Sequence, residues 1–141
     1  IGIHQVPRLE GFIKIRRENM AYWNKELARY QDVLTLPTEV PNTRHVSFAY
    51  VVTIKEGAPF TYKELMAHLE SQGVECRPIE AGAMHLQPAM RLIDWRAGGP
   101  LTNAEYIHHN GFFWGNNHGI GPAEREAVAG YVEEFMKERG I

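Results

Sequence analysis

The sequence has a single cysteine, Cys76, so no disulfide can form within the chain, and the lone thiol fits a reducing compartment. It has no large excess of either charge: 15 Lys and Arg stand against 17 Asp and Glu, for a net charge of -2. Apart from the Arg16-Arg17 pair, the basic residues are scattered. A nucleic-acid footprint is therefore not expected. No apolar run reaches the length of a membrane span. The start, Ile1-Gly2-Ile3-His4, has no basic stretch and no cleavage site of a secretory signal. A cytoplasmic location is expected. It also has no initiator methionine and opens in a helical pattern, as a piece of a longer polypeptide would.

Several motifs are missing too. There is no G-x-S-x-G elbow and no phosphate-binding P-loop. The seven histidines include no i, i+4 helical pair. With no Cys-x-x-Cys either, neither a zinc site nor any other metal site is expected. Cys76 has no neighbour that would make it a nucleophile, and it reads as a small apolar filler. No catalytic residue is identified.

What remains is one domain over residues 1–141, with an ordinary hydrophobic fraction of 44%. Leu9, Phe12, Ile13, Met20, Trp23, Leu27 and Tyr30 recur at steps of three and four, and predict a long first helix over residues 4–30. Pro7 falls near its start, where a missing amide costs little. Residues 35–44 form a turn-rich connector. Val46, Phe48, Tyr50, Val52 and Ile54 alternate, and the residues between them are fairly apolar. That pattern predicts a central strand covered on both faces. Thr61 and Glu64 form a capping box for a helix that Gly73 ends. Val74 to Ile79 is a short edge strand interrupted by Pro78. A helical turn is expected within 87–93, and Gly98-Gly99-Pro100 is a loop. Thr102 and Glu105 suggest a second capping box, opening a helix that runs to His109. Phe112 to Trp114 is a brief strand, Gly115 to Gly121 a loop, and Pro122 opens a last helix stopped by Gly140. The order predicts an α+β fold: a small, mostly antiparallel sheet with helices on one face and a long N-terminal helix.

Two loops concentrate functional side chains. The first contains Arg77, Glu80, His85 and Gln87. Arg77 at a strand end can offer its fork to a phosphate or carboxylate, or simply pair with Glu75 or Glu80. The second contains Asn116, Asn117 and His118 among glycines, where a backbone can approach a polar ligand or merely turn. These residues describe a domain with two polar loops that could line a site. They do not specify a reaction. A stand-alone small-molecule-binding or regulatory α+β module remains an alternative, and a small metal-dependent hydrolase would require bound metal.

Three stretches carry a resemblance: Ile1-Gly2-Ile3-His4-Gln5 running into Arg16-Arg17-Glu18-Asn19; Gly73 to Gly82 with its Arg77-Pro78-Ile79-Glu80-Ala81-Gly82; and Leu101 to Ile107 followed by Asn110 to His118. Together they resemble the C-terminal small domain of the DegT/DnrJ/EryC1/StrS family of PLP-dependent sugar aminotransferases. The branch most similar includes nucleotide-hexose 3-dehydratases of lipopolysaccharide synthesis. The resemblance implies a fold type I PLP enzyme acting as a homodimer on a nucleotide-linked 4-keto-6-deoxyhexose. The cofactor would lie in a large domain absent from this chain, where a lysine serves the aminotransferases and a histidine the dehydratases. This chain alone is expected to bind no PLP and to be inactive. The same resemblance implies substrate contacts from Arg77, Glu80, His85, Asn116, Asn117 and His118. Ala83 stands where relatives have Asn, and Thr102 where many have Pro.

Overall fold

The computed structural model describes residues 2–80 and 82–141; Ile1 and Ala81, which belong to two of the resembling stretches, lie outside the described residues. The first helix is not continuous. A short α1 (Gly2–Gln5) passes through a 3-10 turn at Val6–Arg8 into α2 (Leu9–Leu27) and a closing 3-10 turn at Ala28–Tyr30. Pro7 lies in the first turn, where its ring and missing N–H interrupt the ladder.

Among the described residues four strands follow: β1 (Leu34–Thr35), β2 (Ala49–Ile54), β3 (Cys76–Pro78) and β4 (Gly111–Gly115). Their order is β1-β2-β4-β3, and every pairing is antiparallel. β1 falls at the edge of the expected connector. β3 is an edge strand, as Pro78 requires, and Cys76 pairs with Trp114. The remaining helices are α3 (Tyr62–Ser71), α4 (Thr102–Asn110) and α5 (Pro122–Glu138), with 3-10 turns at Met84–Leu86 and Pro88–Leu92.

The core lies between one sheet face and helices α2, α3 and α5. Tyr50, Val52, Ile54, Phe112 and Trp114 meet Trp23, Leu27, Leu65, Leu69, Val132 and Phe135 there. Each large side chain buried this way contributes roughly 2 kcal/mol. An aromatic knot fixes how α2 crosses the sheet: the Trp23 ring lies 5.2 Å from Tyr50 and 5.7 Å from Trp114, both edge-on. Two polar ends of this knot are satisfied, because the Trp23 indole N–H donates to the Arg125 carbonyl and the Tyr50 hydroxyl to Asn24, while the buried Trp114 indole N–H has no hydrogen-bond partner among the described residues.

The opposite face of the sheet is only partly covered. α4 lies at its Thr53–Gly111 end, where a Cβ on Gly111 would come within 2.7 Å of the Ile107 carbonyl. Val51 is 39% exposed and Phe48 67% exposed. Two expectations are corrected here. β2 is not covered on both faces, and Phe48 does not share the core face with Tyr50. The regular strand begins only at Ala49, and a bend at Phe48 takes its ring out of the alternation.

Caps explain where the helices start and stop. Thr61 and Glu64 form the expected capping box, and Gly73 and Gly140 follow α3 and α5 with φ of +84° and +72°. At α5 the Gly121 N–H donates to Glu124 over 2.9 Å. The second expected box does not form. Leu101, not Thr102, precedes α4, and no side chain caps it. The carboxylate of Glu105 bonds His85 instead.

Candidate functional site

A groove of about 510 Å³ opens beside the edge strand β3. Apolar walls come from Phe48, Val74, Phe113, Ile120, Val128 and Tyr131, and polar groups from Glu75, Arg77, Glu80, Asn117 and Glu124. Local structure puts them there. Gly73 turns the chain out of α3 into β3, so Glu75 and Arg77 leave the strand on the side away from buried Cys76. Phe113 occupies the same outer side of β4, where it meets the Phe48 ring edge-on at 6.1 Å. The Gly115–Gly121 loop and the start of α5 close the other wall.

Three of the expected substrate contacts, Arg77, Glu80 and Asn117, meet in this groove. The Arg77 guanidinium bonds Glu75 at 2.6 Å, which holds it protonated above its ordinary value and favours the pairing read from its neighbours. Glu80 also faces Arg77 electrostatically. The Asn117 side chain accepts from the Gly119 N–H at 2.7 Å, forming the turn of its loop. With three carboxylates (Glu75, Glu80, Glu124) and one guanidinium, the lining favours hydroxyl or amine donors over a free anion.

The other three expected contacts lie apart. Asn116 is fully buried, and its amide N–H groups donate to the carbonyls of Arg16 (3.0 Å) and Ser47 (3.1 Å) while its oxygen accepts from Asn19 (3.3 Å). A direct ligand contact from Asn116 is therefore corrected to a role in holding α2 against the β2–β4 end of the sheet. His118 stacks on Phe12 of α2 with ring centroids 4.0 Å apart, and Arg8 sits over the same Phe12 ring. His85 is joined to Glu105 of α4 and lies beside Trp95. Ala83 is fully buried.

Phe48, Tyr131 and Glu124 line the groove but were not among the expected site residues. Only Gly121-x-x-Glu124, a glycine-led capping pattern, marked any of them in the sequence.

Cys76 is buried, and burial pushes its thiol up to about 12, as an apolar filler requires. No cluster of three or more metal-ligating side chains occurs among the described residues. No helix among them is long and apolar enough to cross a membrane. The groove also does not suit PLP. An aldehyde needs an amine and a phosphate needs donors, yet the lining holds no lysine and its only guanidinium is paired with Glu75.

Comparison with known proteins agrees with this architecture. The DegT/DnrJ/EryC1/StrS aminotransferase family profile matches residues 1–133. The GDP-4-keto-6-deoxy-D-mannose 3-dehydratase of Yersinia pseudotuberculosis is 35% identical over 118 residues, covering 83% of this chain and 29% of that protein. The Escherichia coli GDP-4-keto-6-deoxy-D-mannose 3-dehydratase, solved with bound hydrated PLP, superposes with a TM-score of 0.81 at 28% identity, covering 93% of this chain and 33% of that one. An aminotransferase from Psychrobacter cryohalolentis superposes with a TM-score of 0.84 at 14% identity, covering 97% of this chain and 37% of that one, which shows the fold alone. The chain thus spans about a third of the length of its relatives. It belongs to the DegT/DnrJ/EryC1/StrS aminotransferase family.

Proposed function

We propose that this chain is the C-terminal domain of a PLP-dependent enzyme acting on a nucleotide-linked 4-keto-6-deoxyhexose, by amino transfer or 3-dehydration, in lipopolysaccharide synthesis. The observation that carries this reading is the family match over residues 1–133, joined to a fold that superposes on about a third of such an enzyme. The whole protein would work in the cytoplasm as a homodimer. Its cofactor would be held by a large domain outside this chain, since the groove offers PLP neither an amine nor a free cation. When bound there, PLP supplies the electron sink for chemistry next to the keto group.

This domain's own part is to close one side of the substrate cleft. In the groove, Glu80 accepts from a sugar hydroxyl, and Arg77 turns part of its fork from Glu75 toward the ligand. Asn117 adds an amide on the facing loop, which buried Asn116 holds in place and His118 anchors to α2. His85 contributes from farther along the loop that carries Glu80. Apolar walls exclude water around these contacts.

The test is to express the whole coding sequence that contains this chain and supply PLP and GDP-4-keto-6-deoxymannose. We expect a cofactor absorption band and turnover of the keto sugar. A folded whole protein with neither would sink the reading. Arg77→Ala in that protein should raise KM more than it lowers kcat, because it removes binding and not the reacting group.

A further inference from the structure

Beyond the groove lining, His85 meets Trp95 and Glu105, two residues that the contacts proposed above leave unexplained. His85 Nε2 lies 2.8 Å from Glu105 Oε1. A carboxylate can only accept there, so Nε2 donates, and the neutral imidazole keeps its lone pair on Nδ1. No described group bonds that Nδ1. The Trp95 ring stands beside His85, with centroids 5.9 Å apart and planes tilted by 46°. Trp95 is 45% exposed and the Glu105 side chain 49% exposed, so neither is core packing.

The loop that carries His85 is held firmly. Gly82 has φ of +58°, and a Cβ there would overlap the His108 ring of α4. Ala83 beside it is fully buried. The Leu86 and Gln87 N–H groups close a 3-10 turn on Ala83 and Met84. His85 is thus presented on a fixed turn and fixed again through Glu105.

We infer that His85, Trp95 and Glu105 form a subsite for a pyranose ring, with Glu105 as the residue that positions His85; the inference rests on the proposed sugar-nucleotide substrate. An exposed aromatic face accepts the C–H side of a sugar ring. Hydroxyls on the ring edge donate to His85 Nδ1 and to the free Glu105 oxygen. A guanine base fits less well: its adjacent N–H donors want both oxygens of one carboxylate, and His85 occupies one of them. A metal would find one imidazole and one carboxylate only.

The test uses this chain labelled with 15N, with GDP-mannose, free mannose and GDP as probes. The His85 ring shifts are expected to show the Nε2-protonated tautomer, and Glu105→Ala is expected to abolish that preference while the loop amides stay in place. GDP-mannose and free mannose are expected to shift the Trp95 indole and His85 ring signals; GDP alone is expected to leave them. Trp95→Ala should weaken sugar binding about tenfold, and Trp95→Phe should restore most of it. The subsite is overturned if neither sugar moves these signals, or if GDP alone moves them as far. Failure of the wider reading looks different: the whole protein would lack turnover whatever sugar binds here.

Discussion

At Asn116 a single side-chain amide joins parts of the chain that are far apart in sequence. It bonds Arg16, which is 100 positions away, and Ser47, and accepts from Asn19. Asn116→Ala would leave two carbonyls without this donor in a buried place, so we expect a loss of about 3 kcal/mol. Urea unfolding should show this as a lower midpoint with an unchanged slope. Gly82 makes a second prediction at this scale. Gly82→Ala should destabilise by more than about 1 kcal/mol, from positive φ and from overlap with His108. Gly82→Ala with His108→Ala should recover the overlap but not the backbone cost, which a double-mutant cycle resolves. Single residues were the hardest part to read in advance. Among glycines and amides Asn116 looks like a solvated turn residue, and its burial depends on partners that no local pattern reveals. Arg77 was legible, because Glu75 two positions away is within reach of any strand-end guanidinium.

Elements were easier to read, because their signals are local. The Thr61 box opens α3 as expected, and Thr61→Ala should cost about 1 kcal/mol in thermal or urea unfolding. Its pH dependence has a defined sign. Glu64 sits below its ordinary value of 4.5, first because the Thr61 backbone N–H donates to it. Its contribution is therefore present above the unfolded value and fades as pH falls through the lowered one. Thr61→Ala and Glu64→Ala should each flatten that acid limb of the stability profile. The same four-residue spacing misled at α4. There Thr102 and Glu105 look equivalent, yet Glu105 finds His85, which lies 20 positions earlier in the chain. β1 went unread because two residues carry no period. Phe48 was misplaced because alternation does not reveal where a strand bends.

For the whole molecule, the fold class and the antiparallel sheet followed from periodicity and turn chemistry, while the place of α4 at the opposite face and the groove did not. The groove arises where the sheet edge, the α5 start and a loop converge, and only tertiary structure brings those together. The first helical segment exposes apolar side chains: Ile3 is 85% exposed, Val6 68% and Leu9 51%. We expect concentration-dependent self-association of this chain in sedimentation, and Ile3→Ser with Val6→Ser should reduce it without lowering the melting temperature. The central claim is that this chain supplies a wall of the substrate cleft and not the residue that reacts. The direct test is to incubate the chain with PLP, reduce with borohydride, and map the labelled lysines by mass spectrometry. The account predicts only scattered, substoichiometric label on exposed lysines, unchanged by a nucleotide sugar. One lysine labelled to completion, and protected by that sugar, would contradict it.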